Sequence, residues 1–222
     1  MTCLKFLGHA CFQLIHENTS IIFDPFLTDN PFSIAQPQDI QCNYILVSHG
    51  HHDHLGDAIQ LAKQNDATVI ATAEIAGLCG KQGCKTHAMH IGGKHTFDFG
   101  YVRITPAFHG AGVEGGHACG FIVNFFGRFI YFAGDTSLFG DMALLGRLEK
   151  IDYALLPIGD NYTMGPSDAV EAAALLKPKT VIPMHYNTWP VIAQSPLEYK
   201  QAVEQQLSIS VHIMNPGETL AI

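Results

Sequence analysis

Residues 48–56 read SHGHHDHLG, which puts His49, His51, His52, Asp53 and His54 into six consecutive positions. A packed core avoids that much imidazole, because each buried ring nitrogen needs its own partner. Metal binding is the chemistry that rewards it. Alternate residues of an extended segment project to the same side with ~6.6 Å between them, so His49 and His51 can serve one ion. Asp53 and His54 break that parity where a helix is expected to begin, and can face a neighbouring position. Each half-site is short of the three or four ligands zinc takes. The remainder is expected at the ends of other strands. His109 closes YVRITPAFH, Asp135 follows RFIYFAG, and His185 follows TVIPM. The expected assignment is His49, His51 and His109 on one metal, and Asp53, His54 and His185 on the second. Asp135 bridges them through its two oxygens.

Two divalent ions sharing a water bring its pKa to ~7 or below. The resulting metal-bridging hydroxide can attack a carbonyl carbon or a phosphorus atom, while the ions take up charge on the electrophile's oxygen. Asp53 is expected to be catalytic as well as a ligand, orienting the nucleophile and accepting its proton.

The elements that must position these groups follow from hydrophobic patterning. CLKFLG, CFQLIH and SIIFDP read as strands, NYILVS (43–48) as a strand covered on both faces, and LGDAIQLAKQ as a helix. TVIAT and EIAGLCGKQ repeat the strand–helix pairing. HAMHIGG, GYVRITPAF, CGFIVNF and RFIYFAG read as strands, with NFFGR as a hairpin turn. The last third alternates again: DYALLPIG, TVIPMH and SVHIMN as strands, SDAVEAAALL and PLEYKQAVEQQ as helices. Ser167 or Asp168, with Glu171, marks the expected start of the first of these helices, and Lys177-Pro178 its stop. Both halves thus run from antiparallel strands into strand–helix alternation, which predicts two mixed sheets face to face with helices outside. No low-complexity linker divides the chain, and 1–222 is expected to form one domain.

Composition narrows the function. The 222 residues are 47% hydrophobic and 14% charged, as in folded globular chains. A net charge of −8, with 12 scattered basic residues, disfavours nucleic acid as a partner. The six cysteines form no C-x-x-C pair and read as reduced thiols. The N-terminus lacks a signal-peptide layout, and no run approaches the ~20 apolar residues of a membrane span. A cytoplasmic protein without membrane contact is expected.

The array H49-x-H51-x-D53-H54, then His109, Asp135 and His185, resembles the metal signature of the metallo-β-lactamase-fold superfamily. LGHACFQL, DPFLTDNPF, YFAGDTSLFGDM, YTMGPSDA and IPMHYNTWP extend the likeness over essentially the whole chain. Within the superfamily it is similar to the small metal-dependent hydrolases related to L-ascorbate-6-phosphate lactonase, and more distantly to N-acyl-phosphatidylethanolamine phospholipase D. The resemblance implies an α/β (α+β) fold, a four-layer αββα sandwich of two mixed β-sheets flanked by helices, with the site at one sheet edge. Class B β-lactamases of this fold have cysteine where Asp135 stands. The di-iron oxygen reductases have Glu in place of His51 and carry a flavodoxin domain. Neither description fits.

The expected function is a metal-dependent hydrolase that cleaves a small-molecule lactone or ester. A phosphodiesterase of the same fold is the alternative, and a non-hydrolytic metal-binding or redox protein the alternative of another class. The cofactors are two divalent ions per chain, with Zn2+ first and Mn2+ also suited to a set without thiolate. The resemblance also points to a homo-oligomer. His9 is expected either to reach the site, touching substrate or supporting a ligand, or to be a satisfied strand-end histidine. Tyr162 and Asn187, with Asp160 and Trp189, are candidates to line the pocket, against an equal reading as ordinary turn and rim residues. His52 is expected to point away and hydrogen-bond its own loop, and His117 to lie on a surface loop. His16, His87, His90, His95 and His212 are assigned to surface or strand positions.

Overall fold

The computed structural model describes residues 1–222. The N-terminal sheet starts with three antiparallel strands, β1 (Thr2–Gly8), β2 (Cys11–His16) and β3 (Thr19–Phe23). Then come β4 (Tyr44–Leu46), the one-turn helix α1 (His52–Leu55), α2 (Ala58–Asn65), β5 (Thr68–Thr72), α3 (Ala73–Lys81) and β6 (Lys85–Met89). Strands β3 to β6 run parallel to one another, a long loop carrying the chain back from β3 to β4 and helices doing so for the next two crossovers.

The second half repeats the plan. Strands β7 (Lys94–Phe97), β8 (Gly100–Pro106), β9 (Cys119–Phe125) and β10 (Arg128–Phe132) are antiparallel. After α4 (Met142–Leu148) come β11 (Tyr153–Pro157), α5 (Pro166–Leu176), β12 (Thr180–Met184), α6 (Pro196–Gln206) and β13 (Ser210–Val211), with β10 to β13 parallel. The last strand, β14 (Thr219–Ala221), returns to pair with β1. The sheet orders are β14-β1-β2-β3-β4-β5-β6 and β13-β12-β11-β10-β9-β8-β7.

Side-chain parity explains the layers. Ile21 and Phe23 of β3 and Leu46 of β4 point into a cluster of 43 buried residues that joins the two sheets and continues beneath α4, α5 and α6. Their neighbours Ile22, Ile45 and Val47 point the other way, into 17 buried residues under α2 and α3. That two-sided burial is why NYILVS is apolar throughout. Phe23 and Phe132 stack across the sheet interface with ring centroids 4.9 Å apart. The sandwich is therefore the αββα arrangement of two mixed sheets flanked by helices.

Local differences from the expected elements have local causes. Helix α5 begins at Pro166 with Gly165 as its N-cap, and neither Ser167 nor Asp168 caps it. Proline's fixed φ favours the first helical position, so the start falls one residue earlier. Short α4 and β14 have no periodic sequence signal, and β13 covers only two residues of SVHIMN. No helix is long and apolar enough to cross a membrane.

Candidate metal centre

The chemistry-bearing residues converge at the carboxyl ends of the strands. His49 and His51 lie on the loop after β4, His51 being the N-cap of α1, whose first turn carries Asp53 and His54. His109 follows β8, Asp135 follows β10, and His185 directly follows β12. Gly134 turns the chain into Asp135 with φ +62°, and a Cβ there would stand 2.7 Å from the Cys119 carbonyl and 3.0 Å from Cβ of Ser48. Only glycine fits such a turn. His9, Asp24 and His185 are non-glycine residues with φ of 59°, 38° and 55°. Left-handed backbone of this kind persists where the surroundings enforce it, and it concentrates at functional sites.

Asp135 Oδ2 is the centre of the array. It lies 3.0 Å from His185 Nε2, 3.3 Å from His54 Nε2, 3.5 Å from His109 Nε2 and 4.0 Å from His49 Nε2. On one side, His51 Nδ1 is 2.9 Å from His49 Nε2 and 3.3 Å from His109 Nε2. On the other, Asp53 Oδ2 is 3.7 Å from His54 Nε2 and 3.9 Å from His185 Nε2. The coordinating atoms of His49, His51 and His109 group together, as do those of His9, Asp53, His54 and His185, each group lying within 4.8 Å.

The donor set fits divalent cations. His54 Nε2, both ring nitrogens of His185 and Asp135 Oδ1 are buried with no hydrogen-bond partner. Unpaired buried polar atoms are costly. His54 Nε2 and His185 Nε2 lie 3.3 and 3.0 Å from Asp135 Oδ2 without hydrogen-bond geometry, as atoms directed at a shared point would. Five imidazoles, two carboxylates and no thiolate suit zinc or a somewhat harder ion.

Supporting residues fix the tautomers. Asp24, fully buried at the end of β3, accepts from Ser48 N at 2.7 Å, from Ser48 Oγ, and from His54 Nδ1 at 2.6 Å. With its single proton given to Asp24, Ser48 Oγ must accept from His49 Nδ1 at 2.9 Å. Both His49 and His54 therefore present Nε2 to the centre. Burial pushes the Asp24 carboxyl up, and the bonds from His54 and Ser48 pull it back. Sequence reasoning missed Asp24 and Ser48. The available signal was an aspartate closing an apolar strand, in IIFDP.

Electrostatics match this order. Burial, then the nearby His54, holds His49 well below the usual histidine range. Burial likewise lowers His109. For Asp53 and Asp135, burial pushes upward but is outweighed. The His9 bond and then His54 hold Asp53 ionised, and His185 and then His54 hold Asp135 ionised. His54 is the exception: burial lowers it, yet Asp135 and Asp24 raise it well above the usual histidine range.

His9 reaches the site as a brace. Its Nε2 donates to Asp53 Oδ2 at 3.2 Å, and its Nδ1 accepts from Thr188 Oγ1 at 2.7 Å. Burial, reinforced by His185, lowers it to about 4 and keeps it neutral. It is 2% exposed and does not line the main cavity. That cavity, about 450 Å3, is walled by His51, His52, Asp53, Tyr162, Trp189 and Val191 above the converging ligand atoms. Three expectations need correction. His52 forms no hydrogen bond with its loop: its exposed ring lies edge-on to Phe26, centroids 5.8 Å apart, and joins the cavity wall. Asn187 is left-handed and accepts from Gln194 N at 2.8 Å, so it closes its own turn and lines a separate, smaller cavity. Asp160 bonds Asn161 N at 2.9 Å and stays outside the main cavity.

The beta-lactamase superfamily domain model matches residues 19–186. A UPF0173 metal-dependent hydrolase of Natranaerobius thermophilus is 51% identical over 217 residues, covering 98% of both chains. Another, of Desulforamulus reducens, is 53% identical over 229 residues, covering 99% of both. Among solved structures, Igni18, a metallo hydrolase of Ignicoccus hospitalis, is 35% identical, covers 99% of this chain and 97% of its own, and superposes with a TM-score of 0.93. The chain belongs to the metallo-β-lactamase superfamily, among its UPF0173 metal-dependent hydrolases.

Proposed function

We propose that this hydrolase is dinuclear and cleaves a small-molecule lactone or ester. The observation that carries the reading is the set of unpaired imidazole and carboxylate atoms around Asp135 Oδ2 at the floor of the cavity. In this reading His49, His51 and His109 hold one ion and Asp53, His54 and His185 the other, with Asp135 between them. Bound there, two divalent ions would supply an ionised shared water as nucleophile and a sink for charge on the electrophile's oxygen.

The chain's own residues do the positioning. Asp24, through His54 and Ser48, sets the rings of both groups. His9 fixes Asp53 Oδ2, leaving Asp53 Oδ1 able to accept a proton-bearing group. Because Asp53 stays ionised, it serves as hydrogen-bond acceptor for the nucleophile's proton rather than as a long-lived carrier of it. No Lys or Arg lines the cavity, which ranks an ester or lactone above a phosphodiester. A site built only to hold metal is closed, whereas a cavity of about 450 Å3 opens over these atoms, which disfavours the non-hydrolytic alternative. The test is metal analysis combined with a panel of lactones, carboxylic esters and phosphodiesters. Turnover lost to chelator and restored by Zn2+ or Mn2+ is expected on lactones or esters. Two bound ions with no cleavage of any member would contradict the reading.

A further inference from the structure

The upper wall of the cavity differs in chemistry from its floor. Beyond the converging His and Asp side chains it consists of His52, Tyr162, Trp189 and Val191. Tyr162 and Val191, 54% and 52% exposed, flank Trp189 in this wall, so their apolar surface is open to a ligand. Trp189 is held from several sides. Its ring meets His9 edge-on with centroids 5.0 Å apart, and lies 6.2 Å from Phe26 and 6.4 Å from His52. Its carbonyl accepts from Ile192 N at 3.0 Å. A preset indole costs little further ordering when a ligand packs on it.

None of the chain's 12 Lys and Arg residues reaches this wall. The shallow cavity on the far side of His52 carries Phe26 with Asp29 and Asp57, so its fixed charges are negative. Two divalent ions at the floor can take one oxygen-bearing reacting group. A second anionic group on the same substrate would find no lysine or arginine there, only the single donor edges of His52, Tyr162 and Trp189 beside apolar surface and carboxylates, and so would gain little over water.

We infer that the substrate is a neutral ester or lactone bearing an apolar substituent, and that Trp189, with Val191 and Tyr162, forms the wall that selects it. This rests on the hydrolase reading above, but it is a claim about the wall rather than about the metals. It also parts this chain from substrates carrying a phosphate at a distance from the scissile bond.

Three lactones test it on the zinc-loaded full chain: γ-butyrolactone, γ-decalactone, and a γ-butyrolactone carrying a side-chain phosphomonoester. The expected kcat/KM for γ-decalactone exceeds that for γ-butyrolactone by at least about tenfold, the range a few methylenes provide in an apolar pocket. The phosphorylated lactone falls below both. Within each variant, W189F keeps the preference for γ-decalactone and W189A reduces it by about fivefold or more. Trp189 is the only tryptophan in the chain, so fluorescence reads the wall without turnover. Titration with 2-hexylcyclopentanone should give a saturating change, and a phosphorylated cyclopentanone none. Cleavage of all three lactones with no apolar preference, or with the phosphorylated one favoured, overturns the inference and leaves the hydrolase reading standing. A saturating fluorescence response without cleavage of any ester overturns the hydrolase reading and leaves the wall. Neither cleavage nor response overturns both.

Discussion

The two groups of metal-seeking side chains differ in how they are held. His49, His51 and His109 form the open group, and His51 and His109 are half-buried against the cavity. Asp53, His54 and His185 form the braced group, in which His54 and His185 are buried, Asp24 holds His54, and His9 holds Asp53. The hydrogen-bond-deficient nitrogens, His54 Nε2 and both of His185, also lie in the braced group. Bracing and unsatisfied atoms together define a place that is fixed before the ion arrives and costly without it. The open group can adapt, and it borders the space where a substrate would sit. Tight retention of one ion and readier exchange of the other is what this asymmetry predicts.

The strongest test of that contrast removes Asp53, which belongs to the braced group yet faces the cavity. Asp53→Ala should lower kcat by about a thousandfold, within the range for loss of a proton-handling group. Far-UV circular dichroism should remain that of the wild type. Unchanged kcat would take Asp53 out of the chemistry. Next in size, His109→Ala should weaken one of two metal-binding steps by more than about a hundredfold, exceeding the loss of a merely supporting residue. Competition with a chromophoric chelator should show the other step nearly untouched. Equal weakening of both steps would erase the distinction between the groups.

Asp24→Asn keeps the shape but weakens the acceptor that fixes His54 and, through Ser48, His49. Metal affinity should fall by about ten- to a hundredfold at both steps, because Asp24 touches both groups through those two bonds. A smaller effect is protonic. Asp135 and Asp24 favour the protonated form of His54 despite its burial, and an ion must displace that proton. Loading should therefore release protons at the braced step, measurable by calorimetry in buffers of different ionisation enthalpy. The linked stability effects have opposite signs. His54's raised pKa contributes stability present below 6.5 and lost as pH rises through its folded value. His9, lowered to about 4, instead makes the metal-free chain less stable as pH falls from 6.5 toward 4, since the unfolded chain takes up the proton first. Smallest of all, His52→Ala should leave both metal steps within about twofold, since His52 only walls the cavity and donates to no metal-seeking atom.

Much of this was legible in the chain because metal ligands must be specific residue types at strand ends. The parity of His49 and His51, and its break at Asp53 and His54, reflects a loop turning into the single helical turn α1. The three distant members of the cluster, His109, Asp135 and His185, were readable because each closes an apolar strand run. The mixed sheets were visible in the alternation of each half. What stayed hidden depended on tertiary contact. Asp24 looks like any turn aspartate before proline until β3 and β4 lie side by side and place it beside Ser48. Asn187 and Trp189 are two residues apart in YNTWP, yet only the indole faces the main cavity, because the asparagine side chain is spent on its own turn. His52, inside the densest stretch of ligands, is turned outward by the start of α1.

Diffraction from zinc-loaded crystals at the metal absorption edge shows whether these seven side chains hold two ions. Two anomalous peaks are expected, one bounded by His49, His51 and His109 and the other by Asp53, His54 and His185, with Asp135 reaching both. A single peak at saturating zinc, or two peaks of which Asp135 touches only one, would contradict this arrangement.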